Sequence, residues 1–181
     1  MLTRAPASAA ARVSIVHGPV TIDTPDNCEC IRIDSANDML EACLALAPEC
    51  DVFIACAAVA DYRPAQIADQ KIKKGAEEIT LTMVRNPDIV ASIAGLAQRP
   101  FTVGFAAETT DVLSYARDKM LRKKLDMIIA NDVSDASVGF NSEQNEVTVI
   151  TPEAETPLEK ANKSVIANKL IALVAQSVNS R

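Results

Sequence analysis

Short apolar runs alternate with amphipathic stretches along most of the chain. Arg12–Val16 and Cys28–Ile33 have the length and content of strands. Ser35 is placed as an N-cap with Asp38 at the acidic capping position, opening a helix to about Ala47. Met39, Leu40, Cys43 and Leu44 give that helix one apolar face. Val52–Val59 is unbroken apolar sequence between an acid and a polar stretch, the pattern of a parallel strand buried on both faces. A long polar connection, Asp61–Glu78, follows and holds Pro64 and Gly75; connections of that length are usually lids, binding loops or disordered segments.

Ile79–Val84 alternates strictly and predicts a half-buried strand. Asn86 and Pro87 predict a helix start, with the asparagine as cap and the proline at the first position. Strands are expected at Phe101–Phe105, Met127–Ala130 and Val147–Ile150, and a helix at Asp111–Leu125. A closing helix over Lys160–Val178 would carry Val165, Ile166, Leu170, Ile171 and Val174 on one side. The alternation of strand and helix, with no repeat and no linker, predicts one α/β domain over residues 1–181, doubly wound in three layers around a mostly parallel sheet.

Composition removes several classes. The 181 residues are 49% hydrophobic, enough for a core, and no apolar run reaches the length of a membrane span. Residues 1–11 lack an apolar segment of the secretory kind. Five cysteines with no C-x-x-C pair, beside a single histidine, fit neither a disulfide scaffold nor a zinc cage, and a reduced cytoplasmic setting is expected. A net charge of −6 and an aromatic content of 3% argue against nucleic acid as partner. The average conceals a concentration, because nine of the 18 basic residues fall in Lys71–Arg85 and Arg117–Lys124. Two solvated faces or a site for a small polyanion would both account for it.

Ligands of open parallel sheets bind beyond the carboxyl ends of the strands. Three predicted exits end in polar groups there: Asp61-Tyr62-Arg63, Glu108-Thr109 and Asn131-Asp132. The Asn86-Pro87-Asp88 helix start offers unpaired N–H groups suited to phosphate, or is an ordinary capped helix. Lys71-Ile72-Lys73-Lys74 places three cations close together, as a solvated run or as an anion cradle. Lys119 and Lys123, four apart, share a helix face, whereas Arg122 and Lys124 point elsewhere. Tyr115-x-x-x-Lys119 suggests a dehydrogenase, but five glycines without G-x-G-x-x-G give no dinucleotide turn. His17 has no nucleophile motif around it, and Cys56 reads as small core filler.

Taken in order, Ala57-Ala-Val-Ala-Asp-Tyr-Arg63, Lys71-Ile-Lys-Lys74, Asn86-Pro-Asp-Ile89, Val103-Gly-Phe-Ala-Ala-Glu-Thr109 and Ala130-Asn-Asp-Val133 resemble phosphopantothenoylcysteine synthetase. That family forms the C-terminal half of the bacterial bifunctional coenzyme A biosynthesis flavoprotein. The likeness runs from about Val13 to Val178, and Phe140–Asn145 also fits. It implies a nucleotide-binding ligase domain with a Rossmann-like fold and a β-extension for dimerisation. The implied reaction joins phosphopantothenate to cysteine, using CTP with Mg²⁺ on its phosphates and an acyl-cytidylate intermediate.

By the same resemblance, Ala57, Ala58, Asp61, Pro87, Asp88 and Ile89 would contact the nucleotide and Phe105 would border it. Lys119 and Lys123 would hold phosphate. Lys71 would serve the first half-reaction from a flap that also carries Lys73 and Lys74, with Gln66–Glu78 ordering over the ligand. No residue is implied as a metal ligand, and no flavin belongs to this half. The partners implied are a second copy of the chain and a flavin-dependent decarboxylase.

The family domain opens with a strand, a glycine-rich turn and an asparagine that handles the acyl-cytidylate, and nothing before Val13 matches these. An N-terminally incomplete domain is therefore expected, with a strand lacking between Val13–Val16 and Val52–Val59. The competing expectation is a non-catalytic nucleotide-binding or scaffold subunit.

Overall fold

The computed structural model describes residues 11–68, 70–72, 78–133 and 142–180. The flap lysines Lys73 and Lys74 lie outside these, so the expectations placed on them stand as they were.

Nine strands and four helices are described: β1 (Ser14–His17), β2 (Glu29–Arg32), α1 (Ala36–Leu46), β3 (Val52–Ala55), β4 (Tyr62–Pro64), β5 (Met83–Arg85), α2 (Ile89–Ala94), β6 (Phe101–Glu108), α3 (Val112–Lys123), β7 (Met127–Asp132), β8 (Gln144–Ile150), β9 (Glu155–Asn162) and α4 (Lys163–Asn179). A five-stranded sheet runs in the order β3-β6-β7-β8-β9. Its pairs β3–β6 and β6–β7 are parallel, as is the separate pair β1–β2, while β8 and β9 add an antiparallel margin. β4 and β5 form an antiparallel ribbon of their own.

Side chains alternate across each strand, so β7 serves two cores. Met127 and Ile129 pack with Val103, Val147 and Val149 under Ile166, Leu170 and Val174 of α4. Ile128 and Ala130 pack with Ala106 against Ala116 and Met120 of α3. Helices on both faces of a sheet make the expected three-layer α/β fold. A Cβ at Gly104 of β6 would lie 2.6 Å from Leu125 Cδ1, so a larger residue there would oblige the Leu125 side chain to shift. A third cluster, Met39, Cys43, Ala47, Ile89 and Ile93, takes up Val16 of β1 and Phe53 of β3 together. These two strands share a helix layer, yet β1 pairs with β2 and β3 with β6, not with each other.

The Ser35 cap is as expected: its hydroxyl accepts from the Asp38 N–H, and the Asp38 carboxylate accepts from the Ser35 N–H. Cys43 on the inner face of α1 is buried, which pushes its thiol up to about 11 and leaves it a packing group.

Four expectations need correction. The Val52–Val59 run is strand only as far as Ala55, and its residues are half-buried, because β3 sits at the sheet margin. The strands buried on both faces are β6 and β7 instead. Cys56 therefore lies past the strand end and is exposed, not core filler. Ile79–Val84 yields strand only at Met83–Arg85, all of it exposed, since the ribbon has no helix layer to cover its apolar side. The closing helix begins at Lys163, because Glu155–Asn162 is an edge strand with a proline at Pro157, where a missing N–H is tolerated.

Candidate functional site

The carboxyl end of β6 extends past its neighbour. Ala55, the last residue of β3, lies opposite Gly104, so the following four residues of β6 have no partner on that side in the ladder. The chain leaving β3 passes here through exposed Ala57 and Ala58, with the Val59 N–H on the Ala57 carbonyl at 3.2 Å.

Asn86 then fastens this exit to the segment ahead of α2. Its N–H donates to the Asp61 carbonyl at 2.8 Å, and its Nδ2 donates to the Ala60 carbonyl at 2.8 Å. Arg63 Nη1 donates to Asn86 Oδ1 at 3.1 Å and to the Arg85 carbonyl at 2.8 Å. Asn86 is therefore not the helix cap expected of it. Asp88 is the cap, its Oδ1 accepting from the Ala91 N–H at 3.1 Å. The helix that follows has six residues, and this carboxylate takes the Ala91 N–H of its first turn, as in the ordinary capped helix that the Asn86-Pro87-Asp88 sequence also allows.

Across from it, α3 carries the two lysines on one face as their spacing predicts. Lys119 Nζ donates to the Phe105 carbonyl at 2.8 Å, and Lys123 Nζ pairs with Asp88 Oδ2 at 2.8 Å. Burial opposes ionisation of Asp88, but Lys123 and the Ala91 N–H outweigh it and hold its carboxyl below the usual range. For Lys119, burial and then repulsion from Lys123 hold the amine below the ordinary lysine value. Two cations kept close together in partial burial suit a polyanion between them.

Asp61, Asp88, Phe105, Lys119 and Lys123 thus fall into one bonded neighbourhood, with Pro87 half-buried inside it. Ile89 differs: its side chain belongs to the core beside Met39 and Ile93, leaving only its backbone to face a ligand. Lys71 is exposed, and no hydrogen bond or ion pair joins it to this cluster among the described residues. The Glu108 and Asn131-Asp132 exits lie side by side, Glu108 opposite Asp132, with the Val133 N–H on the Glu108 carbonyl at 3.0 Å. Arg63 was named only as part of a strand exit; its bond to Asn86 spans 23 positions and leaves no local signal. Among the described residues, no three His, Cys, Asp or Glu groups gather to hold a metal ion, and no helix is long and apolar enough to cross a membrane.

The shifted amine of Lys119 gives a pH expectation. A bound polyphosphate favours the ammonium, so binding draws a proton onto Lys119 wherever the free protein has lost it. Affinity for a polyphosphate anion should fall as pH rises, at a lower pH than an ordinary lysine would impose. Lys119→Arg, charged throughout, should flatten the profile. Calorimetric titration from neutral to alkaline pH checks this, and a flat wild-type profile contradicts it. In the same window the unfolded chain binds the proton that the folded one lacks, so the fold gains stability as pH rises.

Comparison with known proteins adds to this geometry. Residues 1–178 match the model of the DNA/pantothenate metabolism flavoprotein C-terminal domain. The Coenzyme A biosynthesis bifunctional protein CoaBC of Vibrio vulnificus (strain YJ016) is 50% identical over 173 residues, covering 94% of this chain and 43% of that protein. Its counterpart in Escherichia coli (strain K12) is 43% identical over 174 residues, with 94% and 43% covered. The crystal structure of the C-terminal domain of a CoaBC protein has a TM-score of 0.83 at 28% identity, covering 99% of this chain and 81% of that one. The chain spans less than half the length of these curated relatives.

Proposed function

Because the chain belongs to the DNA/pantothenate metabolism flavoprotein C-terminal domain family, we propose that it joins phosphopantothenate to cysteine at the expense of CTP, as a step of coenzyme A biosynthesis. The observation that carries this reading is the pair of lysines on one face of α3, Lys119 on the Phe105 carbonyl and Lys123 on Asp88, near the backbone hydrogen bond from Asn86 to Asp61. That arrangement offers positive charge for phosphates within reach of a strand exit that can line a nucleoside.

In the reaction proposed, a carboxylate oxygen of phosphopantothenate attacks the α-phosphorus of CTP, and the bond to the β-phosphate breaks to release pyrophosphate. The amine of cysteine then attacks the acyl carbon of the acyl-cytidylate, and CMP leaves as the amide forms. Lys119 and Lys123 hold phosphate charge, and Lys71 reaches in from its loop to meet the charge that develops in the first step. Mg²⁺ enters with the triphosphate. Ala57, Ala58, Asp61, Pro87, Asp88 and the backbone of Ile89 line the nucleotide.

The β4–β5 ribbon, with Tyr62, Met83 and Val84 exposed, is proposed as the β-extension through which two copies pair. The relatives are bifunctional, which supports partnership with a flavin-dependent decarboxylase.

Incubation with Mg²⁺, CTP and phosphopantothenate should release pyrophosphate, and addition of cysteine should give the amide and CMP. Nucleotide binding without pyrophosphate release would refute the ligase reading and leave the non-catalytic nucleotide-binding subunit. ATP in place of CTP measures the choice of base.

A further inference from the structure

We infer that Arg63 and Asn86 are positioning residues of the nucleotide site, acting as a clamp that fixes the β3 exit against the Asp88–Lys123 pair. The inference rests on the function proposed above.

Asn86 is the joint of the clamp. Its backbone N–H, Nδ2 and Oδ1 each have a partner, in Asp61, Ala60 and Arg63 respectively. A guanidinium can only donate, so the Arg63 bond fixes which side of the amide is oxygen and turns Nδ2 toward the Ala60 carbonyl. Arg63 Nη1 holds two acceptors at once, Asn86 Oδ1 and the Arg85 carbonyl, with one planar group.

Two residues beyond Asn86, Asp88 caps α2 with one oxygen and meets Lys123 with the other. A path therefore runs from Arg63 by a hydrogen bond to Asn86, and through the backbone of Pro87 to the carboxylate that pairs with Lys123. A second runs from Asn86 back to Ala60 and Asp61. Without the clamp, the exposed exit would be free to drift relative to the lysines. The nucleoside and phosphate ends of one ligand would then no longer be met together. Such loss of preorganisation falls on the nucleotide and spares the amino acid that enters later.

The test compares Arg63→Met, which keeps length without charge or donors, with Arg63→Lys, which keeps charge and a donor. Both are assayed for kcat and for the KM of CTP and of cysteine. Amide exchange of Asn86 is followed by NMR in the ligand-free chain. Arg63→Met is expected to raise the KM for CTP about tenfold while the KM for cysteine stays within about twofold, and Arg63→Lys to recover part of the loss. Exchange at the Asn86 amide should quicken about tenfold in Arg63→Met.

An unchanged KM for CTP overturns the inference. So does a parallel loss in every parameter that Arg63→Lys fails to relieve, because that is the signature of a damaged fold. If the wild-type chain itself turns over no CTP, the functional reading falls separately. Exchange at Asn86 then decides the clamp, acceleration supporting it and an unchanged rate overturning it.

Discussion

Lys71→Ala is expected to leave the fold intact and to slow the first half-reaction by two to three orders of magnitude, about 3–4 kcal/mol of barrier. Lys71 is exposed and belongs to none of the three apolar clusters, so its removal opens no cavity. What it takes away is a positive charge of the polar loop, while two cations of the site among the described residues are already engaged, Lys123 by Asp88 and Lys119 by a carbonyl. Single-turnover release of pyrophosphate reads the loss, and a thermal melt within a degree or two of wild type shows that the fold is spared. A variant as fast as wild type would mean that Lys119 and Lys123 neutralise the phosphates without help.

Asp126→Ala is expected to cost about 3–5 kcal/mol of stability. Asp126 starts β7 from below, accepting both Arg99 Nη1 at 2.6 Å and Nη2 at 2.8 Å, and with the same Oδ2 the Thr102 N–H at 2.7 Å. The pair is largely enclosed, with 25% of the Arg99 and 14% of the Asp126 side chain exposed. Removing the carboxylate strands a guanidinium and leaves an N–H of β6, at a residue that is itself fully buried, without its acceptor. Asp126→Asn, which keeps one acceptor for Thr102, should cost less. Urea unfolding measures both, and a loss under about 1 kcal/mol for the alanine would show that water replaces the carboxylate.

These two residues differ in how far the sequence announces them. Lys71 stands in a motif legible by eye, and its loop position follows from polar composition. Asp126 gives no sign, because its value lies in reaching Arg99, 27 positions away. The same division holds across the fold. Ser35 and Asp38 form their capping box within one turn, so local spacing sufficed, and the i,i+4 placement of Lys119 and Lys123 was equally readable. Asn86 and Asp88 both have cap chemistry two residues apart. Only the tertiary bonds to Arg63 and Ala60 decide that Asn86 is spent elsewhere. β9 was missed because its one buried residue, Leu158, gives no alternation to find. The apolar Val52–Val59 run overstated its strand, since burial depends on neighbours that the run does not specify.

The division of the parallel strands has a consequence for temperature. β1 and β2 form one ladder and β3 to β9 form others, and what joins the first ladder to the β3 margin is the cluster in which Val16 and Phe53 meet Met39, Cys43 and Ile93. A junction made of apolar side chains draws its strength from water, and that strength fades on cooling while backbone hydrogen bonds do not depend on it in the same way. β1, β2 and the inner face of α1 are expected to loosen first as temperature falls, ahead of β6 and β7, whose backbones are paired on both sides, and amide exchange followed on cooling checks it.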